Sequence, residues 1–321
     1  MSIGLSVVGS GYIANKVLKE IYDTCEIISV YSSNFDTAKK ISNKYNAKLC
    51  KNYDEILKDP SVDCIYITSP HTTHYQYALR AIYANKNVIC EKPAAMNKNQ
   101  LKVLINASKE NKIFFCEIMH FRFSYVFNEI KKIITENQLG NLVSIYADIG
   151  FDAYLLPKRK RLLDPNLGGG ALLDIGIYIA SLVEFIFDDF SVENIRFDIE
   201  KNDDNIDISD HIYAEINDIF CEFKCSLKEV LKTEVKLIFD NGEISVPMFY
   251  VPKRIVKSEN NTCFVTAYEF SYKKQFQINF EEIMNSKIES DYYSHSAMLK
   301  TIEIIDSIRN KNGIIYKCEK I

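Results

Sequence analysis

The sequence predicts an α/β protein of two domains: a doubly wound parallel sheet over residues 1–118, then an α+β domain with a large open antiparallel sheet over residues 119–321. Three observations predict it. The length of 321 residues exceeds a usual single core, since domains run to roughly 100–200 residues. Short β-branched runs alternate with amphipathic stretches as far as residue 117, the rhythm of right-handed crossovers and a parallel sheet covered on both faces. Beyond about residue 118 this gives way to longer segments of period two, separated by turn residues, which is the pattern of antiparallel strands.

Taken in order, IGLSVVG (3–9) reads as a buried strand, 12–22 as a helix, EIISVY (26–31) as a strand and 36–45 as a helix. CIYITS (64–69), NVICEK (87–92) and KIFFCE (112–117) continue the strands, with helices over 74–84 and 98–110 between them. In the second half a helix over 125–137 ends at Gly140, and strands follow at 142–150, 194–200, 211–218, 220–228 and 233–246. Asn217-Asp218 and Asn241-Gly242 read as tight turns, the second carrying the stronger hairpin signal. GGGALLDIGIY (168–178) opens a helix between the first two of these strands, and a closing helix over 296–309 stops at Gly313.

Apolar residues make up 47% and charged residues 26%, an ordinary globular composition. Lys plus Arg number 39 against 43 Asp plus Glu, a net charge of −4, so no broad positive field exists to hold nucleic acid or an anionic membrane. A small-molecule partner is expected. The nine cysteines are scattered through apolar segments, where reduced thiols act as small core residues. Cys221 and Cys225, the closest pair, have no second Cys or His pair at zinc-ligand spacing, and no metal is expected. With no signal-peptide pattern at the N-terminus and no run of 18 apolar residues, the expected location is a reducing, cytoplasmic one.

Gly9-Ser10-Gly11-Tyr12-Ile13-Ala14 follows the first strand and opens the first helix. This is the G-x-G-x-x-A dinucleotide fingerprint: one glycine for the turn, one for close approach of a pyrophosphate, and a small residue for helix–strand packing. Amides at the helix N-terminus then face the phosphates. After the second strand an acid selects NAD and an arginine NADP, whereas this chain has Ser32 and Ser33. Hydroxyls able to bond a phosphate, with Lys39 and Lys40 in the next helix, favour NADP over NAD, beside the reading that these are ordinary loop residues. Thr68, Ser69 and Pro70 lie where a strand meets a helix, on the carboxyl edge that binds ligands in such sheets. His74 has two readings, cofactor edge or packing. Glu91-Lys92-Pro93 ends a buried strand on the same edge and holds a lysine near the cofactor. Asp174 and Tyr178, four apart, share a helical face. Arg161, in the basic stretch PKRKRLLDP (157–165), stands as a cofactor or substrate contact, and His120 and Arg122 as cleft, core or interface residues.

Gly9 to Ala14, Glu91-Lys92-Pro93 and GGGALLDIGIY together resemble the glucose-fructose oxidoreductase, inositol dehydrogenase and rhizopine-catabolism (Gfo/Idh/MocA) superfamily. The DIGIY version, with Tyr178 where the inositol dehydrogenase branch has histidine, is similar to the glucose-fructose oxidoreductase and dimeric dihydrodiol dehydrogenase branch. The resemblance implies a Rossmann domain, a C-terminal sheet used to build homodimers or homotetramers, and joint action of Lys92 and Tyr178. It implies an NAD(P)-dependent oxidoreductase acting on a secondary alcohol or carbonyl of a sugar, cyclitol or related small molecule. A phenol titrates near pH ~10 and a neighbouring ammonium favours phenolate, so Tyr178 is expected as the acid/base, Lys92 as its tuner and Asp174 as the orienter of substrate hydroxyls or of the lysine. His120, Asp174 and Tyr178 are the expected substrate contacts. Two rivals keep the fold: a non-catalytic dinucleotide-sensing regulator or scaffold, and an NAD-dependent glycoside hydrolase.

Overall fold

A computed structural model describes residues 2–156, 161–187, 189–260 and 262–319. Residues 157–160 of the basic stretch therefore lie outside the described residues. The chain divides into two compact units, residues 1–118 with 271–299, and residues 119–270 with 300–321.

In the first unit β1 (Gly4–Val8), β2 (Glu26–Tyr31), β3 (Lys48–Leu49), β4 (Cys64–Ile67), β5 (Asn87–Cys90) and β6 (Phe115–Glu117) form one sheet in the order β3-β2-β1-β4-β5-β6. Every pairing is parallel, the doubly wound arrangement that the alternation predicts. All five residues of β1 are buried, as a central strand covered on both faces requires. Helices α1 (Tyr12–Ile21), α2 (Phe35–Tyr45), α3 (Asp54–Leu57), α4 (His71–Tyr83) and α5 (Lys98–Asn111) connect the strands. Helix α1 buries Ala14, Val17, Leu18 and Ile21, spacings of three and four that make one apolar stripe. Asn34 caps α2 by accepting the Thr37 N–H at 3.1 Å. Asn97 caps α5 in the same way through Gln100 N–H at 2.9 Å. Helix α4 starts three residues before the predicted His74, because Pro70 at φ −61° ends the extended segment there.

Residues 271–299 belong with this unit, although the sequence reading leaves them in the second domain. Glu20 accepts from Ser271 Oγ and Tyr272 N, both at 2.9 Å, and Lys273 pairs with Asp23 at 2.6 Å. Phe115 N–H donates to Ile288 O and His295 Nε2 meets Phe115 O, both at 3.0 Å. The segment supplies α8 (Tyr272–Met284) and covers the β6 edge. Nothing in its own periodicity names partners at the other end of the chain.

The second unit is built on eight strands in the order β14-β13-β12-β11-β7-β10-β9-β8: β7 (Leu142–Gly150), β8 (Val192–Lys201), β9 (Asp207–Ile216), β10 (Ile219–Ser226), β11 (Glu234–Phe239), β12 (Gly242–Pro247), β13 (Arg254–Glu259) and β14 (Thr262–Ala267). The sheet is mixed, since β10 runs parallel to β7 while the other pairings are antiparallel. A helix lies between β7 and β8 in the chain, and such a crossover is what parallel neighbours need. The core face carries Ile212, Ala214, Cys221, Phe223, Val235, Leu237, Ile244 and Val246, all buried. Tyr146 and Phe220 stay partly exposed on the alternate positions. Helices α6 (Tyr125–Thr135), α7 (Ile177–Ile186) and most of α9 (His295–Lys311) complete the unit. The helical stretch Pro165–Ile186 is long and apolar enough to cross a membrane by composition, yet 83% of its apolar window is buried, the mark of a core helix.

Candidate active site

At the fingerprint the backbone is shaped for a close neighbour. Gly9 sits at φ +108°, and a Cβ there would meet the Thr68 carbonyl at 2.7 Å, so only glycine lets β1 turn against the end of β4. Gly11 is the N-cap of α1, with no side-chain cap and no acid in the first turn. A Cβ on Gly11 would meet nothing within 4 Å. Ser10 Oγ bonds Thr37 Oγ1 at 2.5 Å, tying the loop to α2. Tyr12 is exposed, Ile13 half-buried and Ala14 fully buried, so the third small residue does pack helix on strand. The buried Thr68 Oγ1 has no hydrogen-bond partner among the described residues. Open space at Gly11, uncapped amides and an orphaned hydroxyl fit a dinucleotide phosphate group. Ser32 Oγ accepts the Asn34 N–H at 3.3 Å, and Ser33 is exposed beside it.

The lysine loop is held from behind. Glu91 is buried and accepts the Tyr66 hydroxyl at 2.6 Å, and the half-buried Lys92 after it leads into Pro93 by a cis peptide. His74 is fully buried, with Nδ1 2.8 Å from Pro93 O and Nε2 2.7 Å from Ser69 O. Both ring nitrogens thus engage backbone carbonyls, which makes His74 a tie between two edge loops. Glu117, which the sequence reading passed over, accepts the Ala94 N–H at 2.5 Å and the Tyr293 hydroxyl at 3.2 Å. Burial pushes its carboxyl up to about 7, against the pull of Ala94 N–H, Tyr293 and the Lys92 charge.

In the second unit the run 168–178 forms a five-residue π-helical turn, Leu172–Gly176, that passes into α7. Single π turns inside helices are frequent at functional sites. Asp174 is buried within it, Tyr178 half-buried one turn later. Arg161 Nη2 lies 3.7 Å from Asp174 Oδ1, and the Tyr178 ring faces Tyr250 at 5.4 Å between centroids. Arg161 is therefore placed at the candidate orienter. His120 is buried, edge-on to Phe270 at 6.3 Å. Arg122 takes the core role: its guanidinium bonds Ser181 Oγ at 2.8 Å and pairs with Glu184, fully inside the unit.

The glycines serve packing as well as slimness. A Cβ on Gly169 would meet Leu162 O at 2.5 Å, and one on Gly170, at φ +127°, would meet Tyr316 Oη at 2.6 Å and Asp207 Oδ1 at 2.8 Å. Asp207 and Tyr316 were not legible as site residues, since neither lies in a motif. A cavity of about 440 Å³ behind the helix is lined by Leu172, Gly176, Ile212, Phe223 and Ile308 among others. Neither Asp174 nor Tyr178 lines it, so its size says nothing of the chemistry.

A profile of the oxidoreductase family with NAD-binding Rossmann fold matches residues 3–117, and a profile of the GFO/IDH/MocA C-terminal domain matches residues 127–241. A trans-1,2-dihydrobenzene-1,2-diol dehydrogenase of Xenopus laevis is 28% identical over 249 residues, 74% of this chain and 72% of that one. The D-xylose 1-dehydrogenase (NADP(+)) of Hypocrea jecorina is 30% identical over 165 residues, 48% of this chain and 42% of its own. Among solved structures, a 3-ketoreductase of Actinomadura kijaniata in complex with NADP and TDP-benzene superposes with a TM-score of 0.87 at 17% identity. That match covers 97% of this chain and 98% of the other, and shows a shared fold.

Proposed function

The chain belongs to the Gfo/Idh/MocA oxidoreductase family, and from that premise we propose that it transfers a hydride between a nicotinamide cofactor and a secondary alcohol or carbonyl of a sugar, cyclitol or dihydrodiol. The observation that carries this reading is the glycine-hinged π turn that buries Asp174 and presents Tyr178 on the same helix. The cofactor supplies the hydride; residues Gly9 to Ile13, Ser32, Ser33 and Thr68 to Pro70 would hold it. In carbonyl reduction the hydride forms the new C–H bond, the carbonyl oxygen gains the electron pair, and the Tyr178 hydroxyl gives that oxygen its proton. Lys92 favours the resulting phenolate. Asp174, paired with Arg161, accepts hydrogen bonds from substrate hydroxyls and sets their orientation.

NADP is the preferred cofactor in this reading. It is supported by Ser32 and Ser33 after β2, and by a relative named for NADP and a fold neighbour solved with it. A second copy of the chain is the proposed partner, docking on the outer sheet face. There Tyr146, Phe220 and Tyr213 cluster with ring centroids 6.1 and 6.5 Å apart, and light scattering reads the assembly. A reducing, cytoplasmic location agrees with the buried thiols Cys64, Cys90, Cys116 and Cys225, each pushed well above the usual thiol range by burial.

The test follows reduced-cofactor absorbance against a panel of sugars, ketones and dihydrodiols, with NADPH and NADH in parallel. Tyr178→Phe and Lys92→Ala are expected to lower kcat by about 10²-fold or more, the usual worth of a proton donor and its tuner. Full activity in both variants overturns the assignment, and faster turnover with NADH reverses the cofactor preference.

A further inference from the structure

We infer that Asp207 and Tyr316 are positioning residues for the proposed reaction: together they fix the glycine turn from beneath and so set where Asp174 and Tyr178 stand. This rests on the roles proposed above for those two residues. Asp207, at the start of β9, is fully buried, and its Oδ2 accepts the Leu172 N–H at 2.5 Å. That amide belongs to the first residue of the π turn, two before Asp174. Tyr316, also fully buried, donates its hydroxyl to Gly169 O. One brace thus takes the donor that the turn offers and the other takes the acceptor just before it.

Their fit explains a glycine. The carboxylate and the phenol press so close to Gly170 that no Cβ could stand between them. Gly170, at φ +127°, is the residue that lets the turn descend onto the pair.

The braces are themselves held. Arg309 in α9 bonds both carboxylate oxygens of Glu319, at 2.6 and 2.7 Å, and its guanidinium stacks 4.7 Å over the Tyr316 ring. Glu319 in turn accepts the Tyr316 N–H at 2.9 Å. Asp210, three residues along β9, takes the Cys225 thiol at 3.2 Å. Burial and the Asp207 charge push the Asp210 carboxyl well above the usual carboxylate range. None of these groups needs to touch substrate. They immobilise the backbone that does, and a misplacement of about 1 Å at a reacting centre costs on the order of 10²-fold in rate.

The full-length protein tests this through two readouts on Asp207→Ala, Asp207→Asn and Tyr316→Phe: deuterium exchange over residues 168–178, and steady-state kinetics. Asp207→Ala is expected to speed exchange over that stretch by about fivefold or more. It should lower kcat about tenfold, with the cofactor KM within about twofold of wild type. Asp207→Asn keeps an oxygen for Leu172 N–H and should recover kcat to within about threefold. Tyr316→Phe removes one hydroxyl, keeps the ring packing, and should speed exchange in the same stretch; it serves alone if Asp207→Ala does not fold. Unchanged exchange in the folded variants overturns the inference, and so does faster exchange with kcat intact. If the wild type turns over nothing on the panel, the reading of the site fails, while the exchange comparison still decides whether the brace exists.

Discussion

The guanidinium of Arg161 stands 3.7 Å from the carboxylate of Asp174, the first 44% exposed and the second 7%. A half-open cation is thus paired with a closed anion. Such a pair adds little to folding, on the order of 1 kcal/mol or less once water screens the open partner. On the role proposed for Asp174, its value lies in neutralising the carboxylate that orients substrate. Arg161→Ala should leave the thermal midpoint within about 2 °C and lower kcat/KM about tenfold, with Arg161→Lys intermediate. Melting curves and kinetics on the same preparations check it; an unchanged kcat/KM would show that Asp174 works without its cation.

Gly11 and Gly9 should part company under the same substitution. A Cβ on Gly11 meets nothing within 4 Å, so Gly11→Ala should alter stability by no more than about 0.5 kcal/mol. The methyl would enter the space proposed for the pyrophosphate, and cofactor affinity should weaken about tenfold or more. Gly9→Ala forces a side chain into φ +108° against the Thr68 carbonyl at 2.7 Å, and should lose about 1–3 kcal/mol of folding stability. Denaturant titration and cofactor fluorescence separate the two outcomes.

Glu117 gives the first unit a pH signature. Its carboxyl titrates near 7 in the fold against an ordinary value of 4.5, so the native chain keeps a proton that the unfolded chain releases between those limits. The stability linked to that proton is complete below about pH 4.5 and is lost as pH rises through about 7. In urea titrations across this window, wild type minus Glu117→Gln should decline with rising pH and then level off. A difference that rises with pH would contradict the burial argument.

What the sequence made legible was local. Gly9, Gly11 and Ala14 announce themselves because strand, turn and helix are contiguous, and the Asp174–Tyr178 spacing falls within one turn of helix. Even the hairpins were half readable. Asn217 and Asp218 form the two-residue turn with both residues at positive φ, 49° and 64°, but the second turn is Asp240-Asn241, with Gly242 already paired to Phe239. Gly242 is needed there because a Cβ would strike the Ser258 carbonyl of β13. Strands β13 and β14 went unread, and β14 is exposed on both faces, so it lacks the apolar alternation that marks a strand. Glu117, Asp207 and Tyr316 were missed for a different reason: their partners Tyr293, Leu172 and Gly169 lie far along the chain, and no periodicity encodes such pairings.

The parallel pairing of β7 with β10 has a bearing on how this unit matures. Those two strands lie inside the sheet, with neighbours on both sides, yet the chain must lay down the Asp174–Tyr178 helix and the β8–β9 hairpin before it can return to zip them together. Closure of so long an excursion is a slow, non-local event. The sheet therefore has no finished form that lacks its helix, and a nascent chain sets the Asp174–Tyr178 turn in place in the same step that seals its hydrophobic centre.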